Sequence, residues 1–292
     1  MEIKIVRHVI VSAVFLIWAV PCFATKHFFW QVSSPVTTVY LLGSIHMAKP
    51  EFYPLDPVIE KSFADADYLV LEVRMDPMSM YTMGKGIRDQ GMYSGSQTVF
   101  DHIDKQTADM FRNYLKHKNL PLSLFSKYKP GMIMMQLAAL EIQKMGFSPQ
   151  HGIDMYFMRK ANGMKRPVLG LETAQQQIAF LAELPGDSAL LRYSILSLKD
   201  LPQKMGEIVQ AWKTGDTKAM HALFTDTVAE YKKLKPVMKI LIDDRNVKMA
   251  EKIGAYLKSD KVYFIVVGAG HLTGPLGLPS LLKKAGFTVL QK

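Results

Sequence analysis

A single cysteine, Cys22, occurs among the 292 residues, so the chain cannot close a disulfide with itself. Long apolar runs are just as scarce. The principal one, residues 9–20, falls short of the roughly 18–20 residues a membrane-spanning helix needs. It follows Lys4 and Arg7 and precedes "CFA" at 22–24, the layout of a secretory signal peptide cleaved after Ala24. An uncleaved anchor is the alternative; a lipid-modified Cys22 is disfavoured by Pro21, which stands where a small residue is expected. Cleavage predicts an exported protein, periplasmic or secreted and bacterial, with no stable membrane span. It also removes Glu2, Lys4 and Arg7, taking the formal charge from +10 to +9, and leaves 268 residues without cysteine. Stability must then come from an ordinary buried core, for which that length suffices.

Several chemistries are missing as well. There is no phosphate loop and no H-E-x-x-H. "GMYSG" at 91–95 has its serine one position late for a nucleophile elbow. "GAGHLTG" at 268–274 approximates a dinucleotide-binding loop, yet no Asp or Glu follows Gly268 to hold a ribose. The positive charge is dispersed, in "KKLKPVMK" at 232–239 and "KK" at 283–284, as solvated helix faces rather than a binding stripe. With export, this excludes a nucleic-acid partner and leaves a peptide or small-molecule substrate; nothing in the sequence sets the oligomeric state.

What is present is strand at both ends and helix between. "FFWQVSS" and "TTVYLLG" flank Ser34-Pro35 as a hairpin, and "DYLVLEV" reads as a strand buried on both faces. Residues 75–100, with scattered Gly, Met and Ser, read as an irregular exposed excursion. From Lys105 to Ala182 and over 187–258 the spacing is mostly helical, broken by the short strand "RPVLGLE", after which Thr173 caps a helix. "KVYFIVVG" and "FTVLQ" supply the last strands. The prediction is an α/β fold: a central mixed sheet built from N- and C-terminal strands, with a large helical insertion over about residues 100–240.

Two segments repeat one arrangement. "VYLLGSIHMAKP" (39–50) and "VYFIVVGAGHLTGP" (262–275) each run an apolar strand into G-x-x-H, and a proline follows each histidine eight residues on, Pro54 and Pro279. In both, an amphipathic helix and another apolar strand come next. Gly43 and Gly268 let the chain turn at the strand end, and ligands of open α/β sheets collect beyond such ends. Side by side, the two turns aim His46 and His271 into one crevice. Two imidazoles and a carboxylate form a metal site that keeps positions open for water and substrate. Glu72, a charge ending a buried strand, is the matching carboxylate, because burial without a partner is costly. A histidine after a strand also serves as a plain turn residue, and spacing alone leaves that alternative open.

"YLLGSIHM", "YLVLE", "HGIDMYF", "LGLET", "DDRNVKMA" and "VVGAGHL", in this order, closely resemble the TraB/GumN family, which includes the Tiki proteases. The resemblance implies an α/β fold of the erythromycin-esterase and ChaN-like kind, with its active site at the sheet edge. For the Tiki branch it implies a metal-dependent peptidase using manganese or cobalt rather than zinc. Carried over, His46, Glu72 and His271 become the metal and catalytic residues. Arg245 becomes a group that holds a substrate carboxylate or an oxyanion. Glu172, Asn246, Asp154 and His151 become orienting or substrate-binding groups, although the preferred reading of Asp154, at a helix start, is capping. Whether Glu72 is ligand or general base stays open, as do a metal-free esterase with His46 as base and a protein that sequesters a peptide or haem.

Overall fold

The computed structural model describes residues 26–184, 188–230 and 235–292; the expected signal peptide lies outside them. Six strands form one mixed sheet: β1 (Phe29–Ser33), β2 (Thr38–Ser44), β3 (Tyr68–Val73), β4 (Val168–Glu172), β5 (Tyr263–Gly268) and β6 (Thr288–Gln291), in the order β4-β3-β5-β2-β1-β6. The pairs β4/β3, β3/β5 and β5/β2 are parallel, whereas β1 runs antiparallel to both β2 and β6. The carboxyl ends of β2, β3, β4 and β5 therefore share one edge. All six residues of β5 are buried, as a central strand covered on both faces requires.

The helices in chain order are α1 (Pro57–Ala64), α2 (Pro77–Gln90), α3 (Lys105–His117), α4 (Pro130–Lys144), α5 (Ile153–Gly163) and α6 (Ala174–Ala182). They continue with α7 (Ser188–Ser197), α8 (Leu201–Lys213), α9 (Thr217–Glu230), α10 (Lys235–Met238), α11 (Asp244–Tyr256) and α12 (Leu278–Lys284). None among the described residues is long and apolar enough to cross a membrane. Phe63 of α1 and Phe157 of α5 meet Phe264 of β5 at ring separations of 5.4 and 4.8 Å, which seats those helices on one face. Burying each such ring contributes roughly 2–3 kcal/mol.

The helices between 100 and 240 do not make one block. Val99, Phe111, Leu115, Phe125, Ile133, Leu137, Leu191 and Ile195 close a separate core between α3, α4 and α7. By contrast α5, β4 and Trp212 of α8 belong to the main core around the sheet. The two strand–helix–strand units are also interleaved: β5 lies between β2 and β3, which places the two G-x-x-H turns on neighbouring strands.

Residues 77–90, expected to be irregular, are helical. Pro77 stands in the first turn, and Asp76 caps it by accepting from the Ser79 amide at 3.0 Å. Those start signals outweigh the helix-weakening glycines Gly84 and Gly86, and no residue of this helix is buried.

Candidate active site

β2 ends at Ser44 and β5 at Gly268, paired across the parallel register, and His46 and His271 follow them. Glu72, at the end of β3, stands next to both. Its Oε1 lies 3.9 Å from His46 Nε2 and 3.7 Å from His271 Nε2. The Gly268 amide donates to that same oxygen at 2.6 Å. Gly268 turns with an ordinary φ of −51°, so the glycine expected for its conformational freedom serves for space instead. A Cβ there would stand 3.2 Å from both Glu72 Oε1 and His46 Nε2, inside the junction of the three groups.

Each imidazole is held from behind. His46 Nδ1 lies 2.9 Å from Asp154 Oδ2, and His271 Nδ1 lies 2.6 Å from Asn246 Oδ1. Asn246 donates its own amide to the Leu276 carbonyl at 2.8 Å, which turns its oxygen toward the ring. His271 Nδ1 must then carry the proton, leaving a lone pair on Nε2 facing Glu72. Asp154, expected to cap α5, sits in its first turn while Gly152 is the cap residue; the carboxylate is spent on His46 instead.

Arg245 binds both glutamates. Nε and Nη2 donate to Glu172 at 2.9 and 2.8 Å, Nη2 to Glu72 Oε2 at 2.6 Å, and Nη1 to the Leu241 carbonyl at 2.9 Å. These bonds use four of its five N–H donors, so the side chain is anchored by the two glutamates and the Leu241 carbonyl. The π-helical turn Lys239–Asp243 precedes it. One extra residue in a helical turn rotates the face that follows by about 100°, bringing Arg245 and Asn246 to the sheet edge together.

The remaining expected residues have other contacts. His151 is half-buried before α5; its carbonyl accepts from the Tyr53 hydroxyl at 2.7 Å, and its ring makes no hydrogen bond to the cluster. Gly43 packs: a Cβ would overlap the Phe28 ring, and its carbonyl accepts from Trp212 Nε1 at 2.6 Å. Gln177, which reaches Glu72 Oε2 at 3.3 Å, and Trp212 were missed, since neither carries a motif.

Electrostatics separate the histidines. His271 is 3 % exposed, and burial pushes its pKa down to about 4, so it is neutral. The His46 side chain is 62 % exposed, and the Asp154 carboxylate raises its pKa to about 9. Burial works against the Glu72 charge, but the imidazoles, Arg245 and the Gly268 amide outweigh it and hold the carboxyl at about 2. At neutral pH the lasting contributors are the protonated His46, Arg245 and the amide, because His271 is uncharged there.

Whether such a cluster fits a divalent ion turns on its donors. Two imidazole nitrogens with their far sides tied off and one carboxylate oxygen make an ordinary set for manganese, cobalt or zinc. Glu72 and Glu172 share one guanidinium and Asp154 holds His46, so once His46 gives up its proton the cluster carries a formal excess of two negative charges, which a dication neutralises. Among the described residues no three His, Cys, Asp or Glu side chains already stand at ligand spacing. Bonds of about 2.0–2.2 Å place ligand atoms roughly 3.0–3.5 Å apart, so the observed gaps must close by a few tenths of an ångström. The exposed His46 ring can close its own gap by tilting about its Asp154 contact, and a small shift of the Glu72 carboxylate toward His271 closes the other. The residues fit.

A model of the TraB/PrgY/gumN family matches residues 28–291. The chain belongs to this family. It is 25% identical over 245 residues to the uncharacterized protein YbaP of Escherichia coli, covering 84% of this chain and 87% of that one. A Treponema pallidum protein is 21% identical over 277 residues, 89% of this chain and 81% of that one. The metalloprotease TIKI2 of Xenopus tropicalis is 21% identical over 313 residues, 90% of this chain and 59% of that one.

For this TraB/PrgY/gumN protein the two histidines predict a stability maximum near pH 6.5 in the metal-free state. The unfolded chain binds a proton at His271 that the fold refuses, so stability falls as pH drops from 6.5 toward 4, and Glu72 adds to the loss below 4.5. The His46–Asp154 pair contributes fully below 6.5 and is lost as pH rises through about 9. Solvent over the open ring screens that pair, making the alkaline limb shallower. Denaturant midpoints between pH 4 and 10 check this; a curve flat from 6.5 to 9 would show that Asp154 does not charge His46.

Proposed function

We propose that the protein is an exported, metal-dependent hydrolase of peptide bonds, with the ion held by His46, Glu72 and His271. The observation that carries this is the convergence of both Nε2 atoms on one Glu72 oxygen, at 3.9 and 3.7 Å, with both Nδ1 atoms engaged elsewhere. The likeness to a metalloprotease supports the substrate class, and the leader-like residues 1–24 support export.

When bound, a divalent ion lowers the pKa of water toward about 7 and polarises a scissile carbonyl. The chain's own groups prepare the site. Asn246 keeps the His271 lone pair pointed inward, and Asp154 does the same for His46 once its proton has left. Arg245 keeps Glu72 ionised and aimed. A carboxyl held at about 2 is a weak base at neutral pH, so Glu72 serves as a ligand rather than as the proton acceptor. His46 lies on the open side, from which a substrate approaches.

The 2.9 Å His46–Asp154 pair also suits a metal-free esterase. There His46 would have to accept a proton, which its raised pKa opposes at neutral pH. Titration of the metal-stripped protein with Mn(II), Co(II) and Zn(II) separates the two. One ion per chain, with hydrolysis of quenched-fluorescent peptides restored on loading, is the expected result. No binding and no activation by any of the three would end the metal reading.

A further inference from the structure

Ser44 is 3 % exposed, and its Oγ is the one buried side-chain polar atom among the described residues that no hydrogen bond satisfies. A buried hydroxyl without a partner is a standing cost, and native structures rarely keep one without a reason. Its position suggests the reason. Ser44 is paired with Gly268 across parallel strands. Paired residues of a parallel sheet direct Cβ to the same face, about 4.8 Å apart. The Cβ direction at Gly268 points at the junction itself, 3.2 Å from Glu72 Oε1 and from His46 Nε2 and 3.7 Å from His271 Cδ2. The Ser44 hydroxyl is therefore one strand away on the same side.

The second G-x-x-H turn supplies an internal comparison. Where the first has Ser44 after its glycine, the second has Ala269, also buried at 6 % exposure. Packing at this place asks only for a small side chain, and alanine meets that need without an unsatisfied oxygen. The hydroxyl is an addition at one turn only, two residues before the histidine on the open side of the site.

We propose that Ser44 is a positioning residue of the same centre. Its hydroxyl donates a hydrogen bond to the oxygen of a water or substrate group admitted between His46, Glu72 and His271. This rests on the metal-hydrolase reading and extends it by naming what orients the bound oxygen on the His46 side.

The test compares wild type, Ser44→Ala and Ser44→Thr with Mn(II) as the probe, reading affinity by competition with a fluorescent chelator and the unfolding midpoint of the metal-free protein. Expected are a roughly tenfold weaker Mn(II) affinity in Ser44→Ala, recovery to within about threefold in Ser44→Thr, and a metal-free Ser44→Ala at least as stable as wild type. Mn(II) affinity in Ser44→Ala equal to wild type, or a Ser44→Thr that behaves like Ser44→Ala, overturns the proposal while leaving the metal centre standing. A metal-free Ser44→Ala markedly less stable than wild type also overturns it, by giving the hydroxyl a structural role. A wild-type protein that takes up no Mn(II) removes the metal reading, and this proposal falls with it.

Discussion

Arg245→Met is expected to cost about 3–5 kcal/mol of folding stability at neutral pH, the penalty for breaking a buried ion pair by removing one partner. Methionine reproduces the aliphatic stem and ends near Nε, so the packing of the stem changes little and the loss is concentrated at the guanidinium. What is lost is the cation between two carboxylates. The side chains of Arg245, Glu72 and Glu172 are only 10, 10 and 5 % exposed, and water cannot take over the guanidinium's part. In a chain of this size the deficit lowers the melting temperature by roughly 10 °C. The pH dependence identifies the cause. With the guanidinium gone, one glutamate holds its proton more tightly in the fold than in the unfolded chain, so the variant recovers stability relative to wild type as pH falls from 8 to 5. Adding Glu172→Gln removes the repulsion between the two glutamates and should recover much of the loss, a coupling that distant sites do not show. A variant as stable as wild type at pH 8 by calorimetry would mean that the carboxylates are not held together by charge.

This dependence explains which parts of the site could be read from sequence. The G-x-x-H turns and the charge at the end of "YLVLE" were legible because each is a local anomaly: a glycine and a polar residue where an apolar strand should simply stop. Their meeting follows from the parallel pairing of β2, β5 and β3, which the apolar strands imply. Arg245 and Asn246 were legible only through the family resemblance. Their placement depends on a π turn, and an extra residue within a continuous helix leaves no mark on apolar spacing. Gln177 and Trp212 act through one hydrogen bond each across more than 100 residues of chain, and no local pattern encodes such a contact. Asp154 reads as an ordinary helix-start acid; only the return of α5 to the sheet edge, with the Ile153 amide donating to the Ile45 carbonyl at 3.2 Å, gives its carboxylate to His46. The helix over 77–90 is the opposite case: its start at Asp76-Pro77 is local in the sequence, but Gly84 and Gly86 and the absence of a buried face leave no helical apolar spacing.

Asparagine at either histidine should abolish hydrolysis while sparing the fold, and the contrast with glutamine tests the geometry. An asparagine amide nitrogen falls near the position of histidine Nδ1 and a glutamine amide nitrogen near that of Nε2, so each keeps one half of the imidazole. His46→Asn retains a donor for Asp154, and His271→Asn retains one for Asn246 Oδ1. Both delete the nitrogen that faces Glu72. Turnover of the metal-loaded protein is expected to fall on the order of 10³-fold or more, about 4 kcal/mol of barrier, with the folding midpoint of the metal-free protein within about 1 kcal/mol of wild type. His271→Gln is the destabilising member of the set, because Asn246, which is fully buried, loses its donor. His46→Gln is tolerated better, since water reaches the 62 % exposed side chain at that position. A binding protein with no catalytic centre predicts the reverse ranking, in which stability decides everything and the asparagine variants behave as wild type. Undiminished turnover in His46→Asn or His271→Asn, measured at saturating Mn(II), would take the reacting centre away from Glu72 altogether.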